Sequence, residues 1–236
     1  EFRNVSFKYP GSEAYALKDL SFKFRIGERL AFVGMNGSGK TTFIKLLCRL
    51  YDPTEGQILL NGIDITRYRY DEYMALFSVV FQDFKLFAFE LGQNVAAASE
   101  VEYKRAEACL VKAGFEERME SMEDGLATYL YKDFNEKGVE VSGGEAQKIA
   151  LARALYKDAP FMILDEPTAA LDPIAEHEMY LKYNEIAENT TSVFISHRLA
   201  STRFCDRIYL LDGANFAECG THDELIAQKG TYYQLY

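Results

Sequence analysis

The fold of this chain is decided by nine residues, GMNGSGKTT, which run from Gly34 to Thr42. They match the pattern G-x-x-x-x-G-K-[ST], in which backbone N–H groups of a glycine-rich loop surround phosphate. Residues 30–33, just before the loop, are all apolar, as expected for a buried parallel strand. After the loop, the helical positions i, i+3, i+4 and i+7 are occupied by apolar residues, namely Phe43, Leu46, Leu47 and Leu50. We therefore expect a strand, a tight loop and a helix whose positive N-terminal end suits a polyphosphate.

Two side chains of this loop carry chemistry of their own. We expect the Lys40 ammonium to reach the β- and γ-phosphates of a nucleotide and the Thr41 hydroxyl to coordinate Mg²⁺. The alternative is a glycine-rich turn that binds nothing. Because the loop and both flanking elements agree with the pattern, a nucleotide site is the better interpretation.

A second stretch, FMILDEP at positions 161–167, is an apolar run that ends in two carboxylates. In proteins with a phosphate-binding loop, an aspartate at the end of such a strand holds the metal, and Asp165 is placed for this role. Glu166, the next residue, is placed to orient or polarise an attacking water. The alternative is an acidic strand end that caps the following helix. Downstream of a phosphate-binding loop, the catalytic interpretation is favoured.

A third stretch, VSGGEAQ at positions 141–147, precedes an alanine-rich helical pattern. Ser142 and Glu145, three residues apart, form the pattern of a capping box at a helix N-terminus. A cap does not require two consecutive glycines, whereas Gly143 and Gly144 would let a ligand approach the helix closely. The pattern therefore indicates a helix start that also binds an anion.

The periodicities predict two kinds of region. Apolar and polar residues alternate around Val5 and over residues 20–26, and Asn61-Gly62 after an apolar run is a hairpin signal, so we expect an antiparallel β subdomain. Helical patterns dominate residues 84–157, and strands return at 161–164, 192–195 and 207–211 between helical stretches. The predicted fold class is α/β, with a phosphate-loop core of parallel strands (1–83 and 158–236, including the β subdomain) and an inserted α-helical subdomain (84–157).

Composition excludes several classes of protein. The chain has 236 residues, of which 48% are apolar, and a net charge of −10, which argues against non-specific nucleic-acid binding. Its four cysteines are scattered without a C-x-x-C pair, so neither a zinc site nor a disulfide framework is expected, and a reducing, cytosolic location fits best. No apolar run approaches the roughly 18 residues of a membrane span.

Together these stretches resemble the ATP-binding-cassette (ABC) family, the nucleotide-binding domains that drive ABC transporters. The resemblance covers nearly the whole chain, and the motifs come in the family's order. It implies a P-loop NTPase core of the RecA-like type that binds ATP and Mg²⁺ and hydrolyses the ATP. It also implies that Tyr9 stacks on adenine, that Gln82 contacts Mg²⁺ and couples to a membrane partner, and that His197 holds the γ-phosphate. Asp172 is similar to the family's D-loop aspartate.

The resemblance thus implies three sets of site residues. The catalytic set is Lys40, Gln82, Glu166 and His197. The metal set is Thr41, Gln82 and Asp165. The nucleotide-binding set is Tyr9, Gly34, Asn36, Gly37, Ser38, Gly39, Lys40, Thr41, Thr42, Ser142, Gly143, Gly144, Glu145 and Asp172.

The family also implies partners. Two such domains, in a homodimer or a heterodimer, would enclose two ATP molecules head to tail. Each ATP would lie between the phosphate loop of one domain and, in the other domain, the helix that begins in the signature stretch at 141–147. Tyr9-Pro10, the ISHRL stretch around His197 and GTHDEL at 220–225 are similar to exporters, whose membrane domain precedes the ATPase domain in one chain. We therefore expect a transmembrane partner fused before Glu1, a place at the cytoplasmic face of a membrane, and no nucleic-acid partner.

Two other classes of protein compete with an exporter. One is a soluble ABC-family ATPase with no transport role, but DNA-repair members carry long coiled coils and this chain has no sustained heptads. The other is a phosphate-loop kinase, which leaves the signature stretch at 141–147 unexplained. The cargo, which a membrane domain would select, is not encoded here.

Overall fold

This computed structural model describes residues 1–166, 173–187, 190–196 and 199–236. The strands are β1 (Phe2–Phe7), β2 (Leu17–Phe22), β3 (Arg29–Val33), β4 (Glu55–Leu60), β5 (Ile63–Asp64), β6 (Phe77–Val80), β7 (Phe161–Asp165), β8 (Thr191–Ser196), β9 (Arg207–Asp212) and β10 (Asn215–Gly220). The helices are α1 (Lys40–Leu47), α2 (Tyr70–Ala75), α3 (Leu91–Ala96), α4 (Tyr103–Lys112), α5 (Glu116–Glu120), α6 (Gly143–Lys157), α7 (Pro173–Ala187), α8 (His222–Gln228) and α9 (Thr231–Leu235).

The chain divides into two compact units. The first contains residues 1–77, 160–166 and the described part of 187–236, and the second contains residues 78–159 and the described part of 167–186. In the first unit, a small sheet has the strand order β2-β1-β4-β5, and a larger one contains β10-β9-β3-β8-β7 in that order. Strands β3, β7, β8 and β9 are parallel, which confirms the predicted α/β core. The small sheet is antiparallel, as predicted, and its β4–β5 hairpin turns at Asn61-Gly62.

Aromatic packing holds β3 and α1 together and so fixes the loop between them. The Phe32 ring of β3 stacks on Phe43 of α1, with ring centroids 4.1 Å apart, and on Tyr209 of β9 at 5.2 Å. Phe32 and Phe43 are both fully buried. Because both ends of the phosphate loop are anchored in the core, its backbone has little freedom to move away from a ligand.

Two predictions of element boundaries were wrong, and one strand was missed. The strand expected over 20–26 ends at Phe22, where β2 makes its last pair with Phe2, and Ile26 beyond it is 63% exposed. Helix α1 ends at Leu47, so Leu50 does not extend the buried stripe and is 42% exposed. The hairpin strand β10 was not predicted, although Asp212-Gly213 before it is a turn signal.

The second unit is mainly helical. Its core contains side chains of α3, α4 and α6 that are fully buried: Leu91, Val95, Ala106, Leu110, Ile149 and Leu151. Arg153 of α6 ties α3 to this core by donating from Nε to the Asn94 carbonyl at 2.7 Å. Across both units, none of the helices in the described residues is long and apolar enough to cross a membrane.

Candidate functional site

The loop between β3 and α1 takes a shape that glycine alone accommodates at two positions. Gly34 has φ 151° and Gly39 has φ 100°, both in the region that disfavours side chains. A Cβ at Gly34 would meet the Leu211 carbonyl oxygen and Ser38 Oγ, and a Cβ at Gly39 would meet Leu17 and the Ala16 carbonyl. The predicted phosphate loop is therefore closely packed against its own unit on one side.

These contacts predict different outcomes for two alanine substitutions in the loop. Gly34→Ala should displace the loop and weaken ATP binding, because the new methyl group collides with the backbone of β9 at Leu211. Gly37→Ala is the matched control, since Gly37 also has a positive φ of 80° but nothing lies within 4 Å of its Cβ position. We expect Gly34→Ala to raise the ATP dissociation constant by at least about tenfold more than Gly37→Ala. Titration with a fluorescent ATP analogue measures this, and equal losses would contradict it.

Lys40 lies beneath the loop with its ammonium inside the protein. Its Nζ donates to the carbonyls of Gly34 at 2.8 Å and Met35 at 3.0 Å, and the side chain is 5% exposed. Glu166 Oε1 is 3.9 Å away, which is a long ion pair. Burial lowers the pKa of Lys40, while the nearby carboxylates of Glu166 and Asp165 partly oppose this effect. The ammonium is thus a desolvated cation that a phosphate would stabilise strongly.

The two carboxylates lie where the parallel strands end. Asp165, the last residue of β7, pairs in register with Ile195 of β8 and is 1% exposed. Glu166 follows with a φ of 44° and donates its N–H to the Ile195 carbonyl at 3.0 Å. A positive φ is unusual for a residue with a side chain and is typical of strained functional positions. The carboxyl ends of parallel strands are also where ligands bind in α/β folds.

The start of α1 is suited to an anion. Its first turn has no acidic residue and its N-cap, Gly39, provides no side-chain cap. Ser38 Oγ is buried and has no hydrogen-bond partner among the described residues, which a ligand oxygen would satisfy. Thr41 is half-buried, and Thr42 is buried with its Oγ1 3.0 Å from Tyr9 Oη. The loop, Lys40, Ser38 and the two carboxylates therefore fit the triphosphate of a nucleotide with a divalent cation.

The signature stretch in the second unit forms the predicted cap. Ser142 is the N-cap of α6: its N–H donates to Glu145 Oε2 at 2.7 Å, and its Oγ accepts from the Glu145 N–H at 3.2 Å. Glu145 also pairs with Arg118 Nε at 2.9 Å, a partner that sequence reasoning missed because no local pattern links the two residues. Gly143 is exposed and Gly144 half-buried, so the helix start is accessible.

The structure describes three of the remaining predicted site residues and leaves two outside the described ranges. Gln82 lies in an exposed turn of the second unit, after β6. Asn36 and Gly37 are exposed at the tip of the phosphate loop. Asp172 and His197 lie outside the described residues.

The chain as a whole is similar to known proteins. Residues 17–169 match the family model described as ABC transporter. The chain is 39% identical over 236 residues to an ATP-dependent lipid A-core flippase of Burkholderia orbicola (strain AU 1054), covering 100% of this chain and 39% of that protein. It is 40% identical over 238 residues to the protein of the same name from Salmonella typhimurium, covering 100% of this chain and 40% of that protein.

A solved structure is similar as well. It is described as a bacterial Atm1-family ABC exporter with ATP bound, and its TM-score is 0.89 at 34% sequence identity. The match covers 99% of this chain and 40% of that one. This chain therefore spans about two fifths of the length of the curated relatives and of the solved exporter that it matches.

Proposed function

Because the chain belongs to the ABC transporter family and is an ATPase domain of that family, we propose that it hydrolyses Mg²⁺-ATP to drive export across a membrane. The observation that carries this proposal is the buried Lys40 ammonium, held under the glycine loop 3.9 Å from the Glu166 carboxylate. A buried cation beside a carboxylate at the end of parallel strands suits phosphate binding and attack by water on the terminal phosphate.

Each group at the site has a distinct proposed role. The loop N–H groups and Ser38 bind the phosphates, and Lys40 neutralises charge that develops on the γ-phosphate. Thr41 and Asp165 would hold Mg²⁺, which would neutralise charge on the phosphates. Glu166 orients the attacking water and takes its proton, and the side chain of His197 holds the γ-phosphate.

Tyr9 has two proposed functions that can be separated. Its ring stacks on adenine, while its hydroxyl, 3.0 Å from Thr42 Oγ1, positions the second threonine of the phosphate loop. Tyr9→Phe keeps the ring, so we expect it to raise the ATP dissociation constant by only about two- to tenfold, the worth of one neutral hydrogen bond. Tyr9→Ala should cost clearly more. Equilibrium binding of ATP measures the dissociation constants of both variants. Equal effects of the two variants would mean that the ring does not contribute to adenine binding.

The second unit supplies a proposed contact to a partner. Ser142, Gly143 and Gly144 lie at a helix N-terminus that is accessible, and α6 is long enough to have a substantial dipole there. We propose that these residues, with Glu145 and Asp172, contact the ATP held by a second copy or a paralogous domain. Residues 84–157 would form the helical subdomain and residues 1–83 with 158–236 the RecA-like core and β subdomain.

The proposed location is the cytoplasmic face of a membrane, with a transmembrane domain in the same polypeptide. The matched relatives are about two and a half times as long as this chain, and their names describe flippases and an exporter. Those names support export but not one cargo, since one set is named for lipid A-core and the solved structure for the Atm1 family. The competing proposal, a soluble ABC-family ATPase, remains the alternative.

Fractionation of source cells tests the transport role. An antibody against this domain should detect a membrane-bound band well above the 26.9 kDa of this chain. A band in the soluble fraction would overturn the fused-exporter proposal and favour the soluble ATPase. ATP hydrolysis by the purified protein is measured in parallel. A soluble protein that hydrolyses ATP would overturn the transport proposal and leave the ATPase proposal standing.

A further inference from the structure

The ring of Tyr9 is held at its edges by two other aromatic side chains. Phe7, the last residue of β1, meets it at 78° with ring centroids 5.0 Å apart, and Tyr51 meets it at 84° with centroids 5.5 Å apart. Phe7 and Tyr51 also contact each other, with centroids 5.4 Å apart. Edge-to-face contacts at these distances are a favoured geometry of aromatic pairs. The neighbouring rings thus fix the plane of the Tyr9 ring.

The end of α1 directs Tyr51 to this position. The Leu50 N–H donates to the Lys45 carbonyl at 2.8 Å. The Arg49 N–H donates to the Leu46 carbonyl at 3.0 Å. These two bonds, with Arg49 in the left-handed region at φ 53°, form a Schellman motif, which ends the helix and turns the chain. Arginine is unusual at such a position, but its guanidinium donates to three backbone carbonyls, which compensates for the strain.

The chain after Tyr51 is attached to the end of β1. The Thr54 N–H donates to the Ser6 carbonyl at 2.9 Å, and Thr54 Oγ1 accepts from the Lys8 N–H at 3.0 Å. Lys8 is the residue directly before Tyr9. The segments that carry the two tyrosine rings are therefore joined by hydrogen bonds within three residues of each ring, and these bonds help to set the distance between the rings.

Helix α1 also contacts Tyr9 directly. Thr42, in its first turn, has its Oγ1 3.0 Å from the Tyr9 hydroxyl, and the Lys45 ammonium lies over the Tyr9 ring, 5.6 Å from its centroid. An ammonium within about 6 Å of an aromatic centroid is attracted to the ring face. The helix thus begins at the phosphate loop and ends at the turn that places Tyr51. One helix therefore relates the position of the Tyr9 ring to that of the phosphate loop.

We propose that Tyr51 is a positioning residue for the nucleotide, which acts by holding the Tyr9 ring in the orientation that adenine requires. This inference rests on the proposed stacking of adenine on Tyr9. A ring that is already fixed loses little conformational freedom when a ligand binds, whereas a free ring must be ordered at that moment. The ordering of one side chain lowers affinity by roughly two- to tenfold. Tyr51 itself is 38% exposed, so its truncation opens no enclosed cavity in the core.

A double-mutant cycle tests this role, because the effects of residues that act through one another do not add. Tyr51→Ala should raise the ATP dissociation constant by about fivefold in the native background. In the Tyr9→Ala background, the same substitution should change this constant by less than about twofold, since the ring to be positioned is gone. The same rise in both backgrounds would mean that Tyr51 acts on something other than Tyr9 and would overturn the proposal.

The cycle also separates this inference from the one on which it rests. If Tyr9→Ala leaves the ATP dissociation constant unchanged, adenine does not stack on Tyr9, and the positioning role of Tyr51 fails with it. If Tyr9→Ala weakens ATP binding and Tyr51→Ala does not, the stacking of adenine on Tyr9 stands and only the positioning role fails.

Two further variants and a kinetic measurement distinguish positioning from a general structural role. Tyr51→Phe retains the ring and both of its aromatic contacts, so the ATP dissociation constant should stay within about twofold of the native value. Tyr103→Ala removes an exposed tyrosine ring from α4, in the second unit, and should leave the constant unchanged. Tyr51→Ala should raise the KM for ATP and keep kcat within about twofold, as expected when only binding is weakened. A fall in kcat beyond that, or a loss of binding in Tyr51→Phe or Tyr103→Ala as large as in Tyr51→Ala, overturns the positioning role.

Discussion

Replacing Glu166 by glutamine is expected to lower the ATP turnover number by at least about 100-fold, the lower end of what a general base contributes. Glutamine keeps the shape of the side chain but cannot accept the proton of the attacking water. ATP binding should survive, because the substitution removes a negative charge 3.9 Å from Lys40 and removes no phosphate contact. The ATP dissociation constant should therefore stay within about threefold of the native value. Loss of turnover without loss of binding is the result expected for a side chain that interacts with the transition state.

Single-turnover release of phosphate and equilibrium binding of labelled ATP separate these two effects. Glu107→Gln, the same substitution at an exposed position of α4, is the control and should retain both turnover and binding. If Glu166→Gln hydrolysed ATP at the native rate, Glu166 would have no part in activating water.

Replacing Lys40 by alanine should, in contrast, weaken the binding of ATP. The ATP dissociation constant is expected to rise by roughly 10- to 100-fold, because a charge-assisted hydrogen bond from a buried ammonium is lost. The nucleotide-free variant should also unfold at a lower temperature than the native protein. Lys40→Ala removes a cation close to the carboxylates of Asp165 and Glu166, together with two hydrogen bonds to loop carbonyls.

Thermal unfolding with and without ATP checks both parts of this prediction. At an ATP concentration about 100 times the native dissociation constant, the native protein gains about 2.7 kcal/mol of stability, and Lys40→Ala should gain far less. Lys112→Ala, at the exposed end of α4, is the matched control and should keep the full gain. An unchanged ATP dissociation constant in Lys40→Ala would contradict a phosphate-binding role for this lysine.

The local part of the site is predictable because its determinants are adjacent in sequence. The phosphate loop is framed by an apolar run that becomes β3 and by a helical stripe that becomes α1. The capping box of Ser142 and Glu145 is likewise a pattern three residues long, and it forms as predicted. In both cases the residues that determine the backbone lie within one or two turns of each other, so propensity and capping decide the structure.

Strand ends are not predictable in this way because pairing partners decide them. The apolar alternation over 20–26 continues past Phe22, yet β2 stops where its pairing with β1 stops. The side chains beyond that point line a cavity instead of a sheet face. Strand β10 shows the reverse case, since its pairing with β9 makes a strand of a segment whose own pattern is weak.

The sequence by itself determined the fold class, the phosphate loop and the identity of most candidate site residues, since each depends on a short pattern of residue types. The tertiary structure alone decided that Lys40 is buried 3.9 Å from Glu166, that Gly34 packs against Leu211, and that Tyr9 reaches Thr42. These contacts join residues far apart in the chain. They exist because core packing brings the strand ends together, and no local periodicity records that packing.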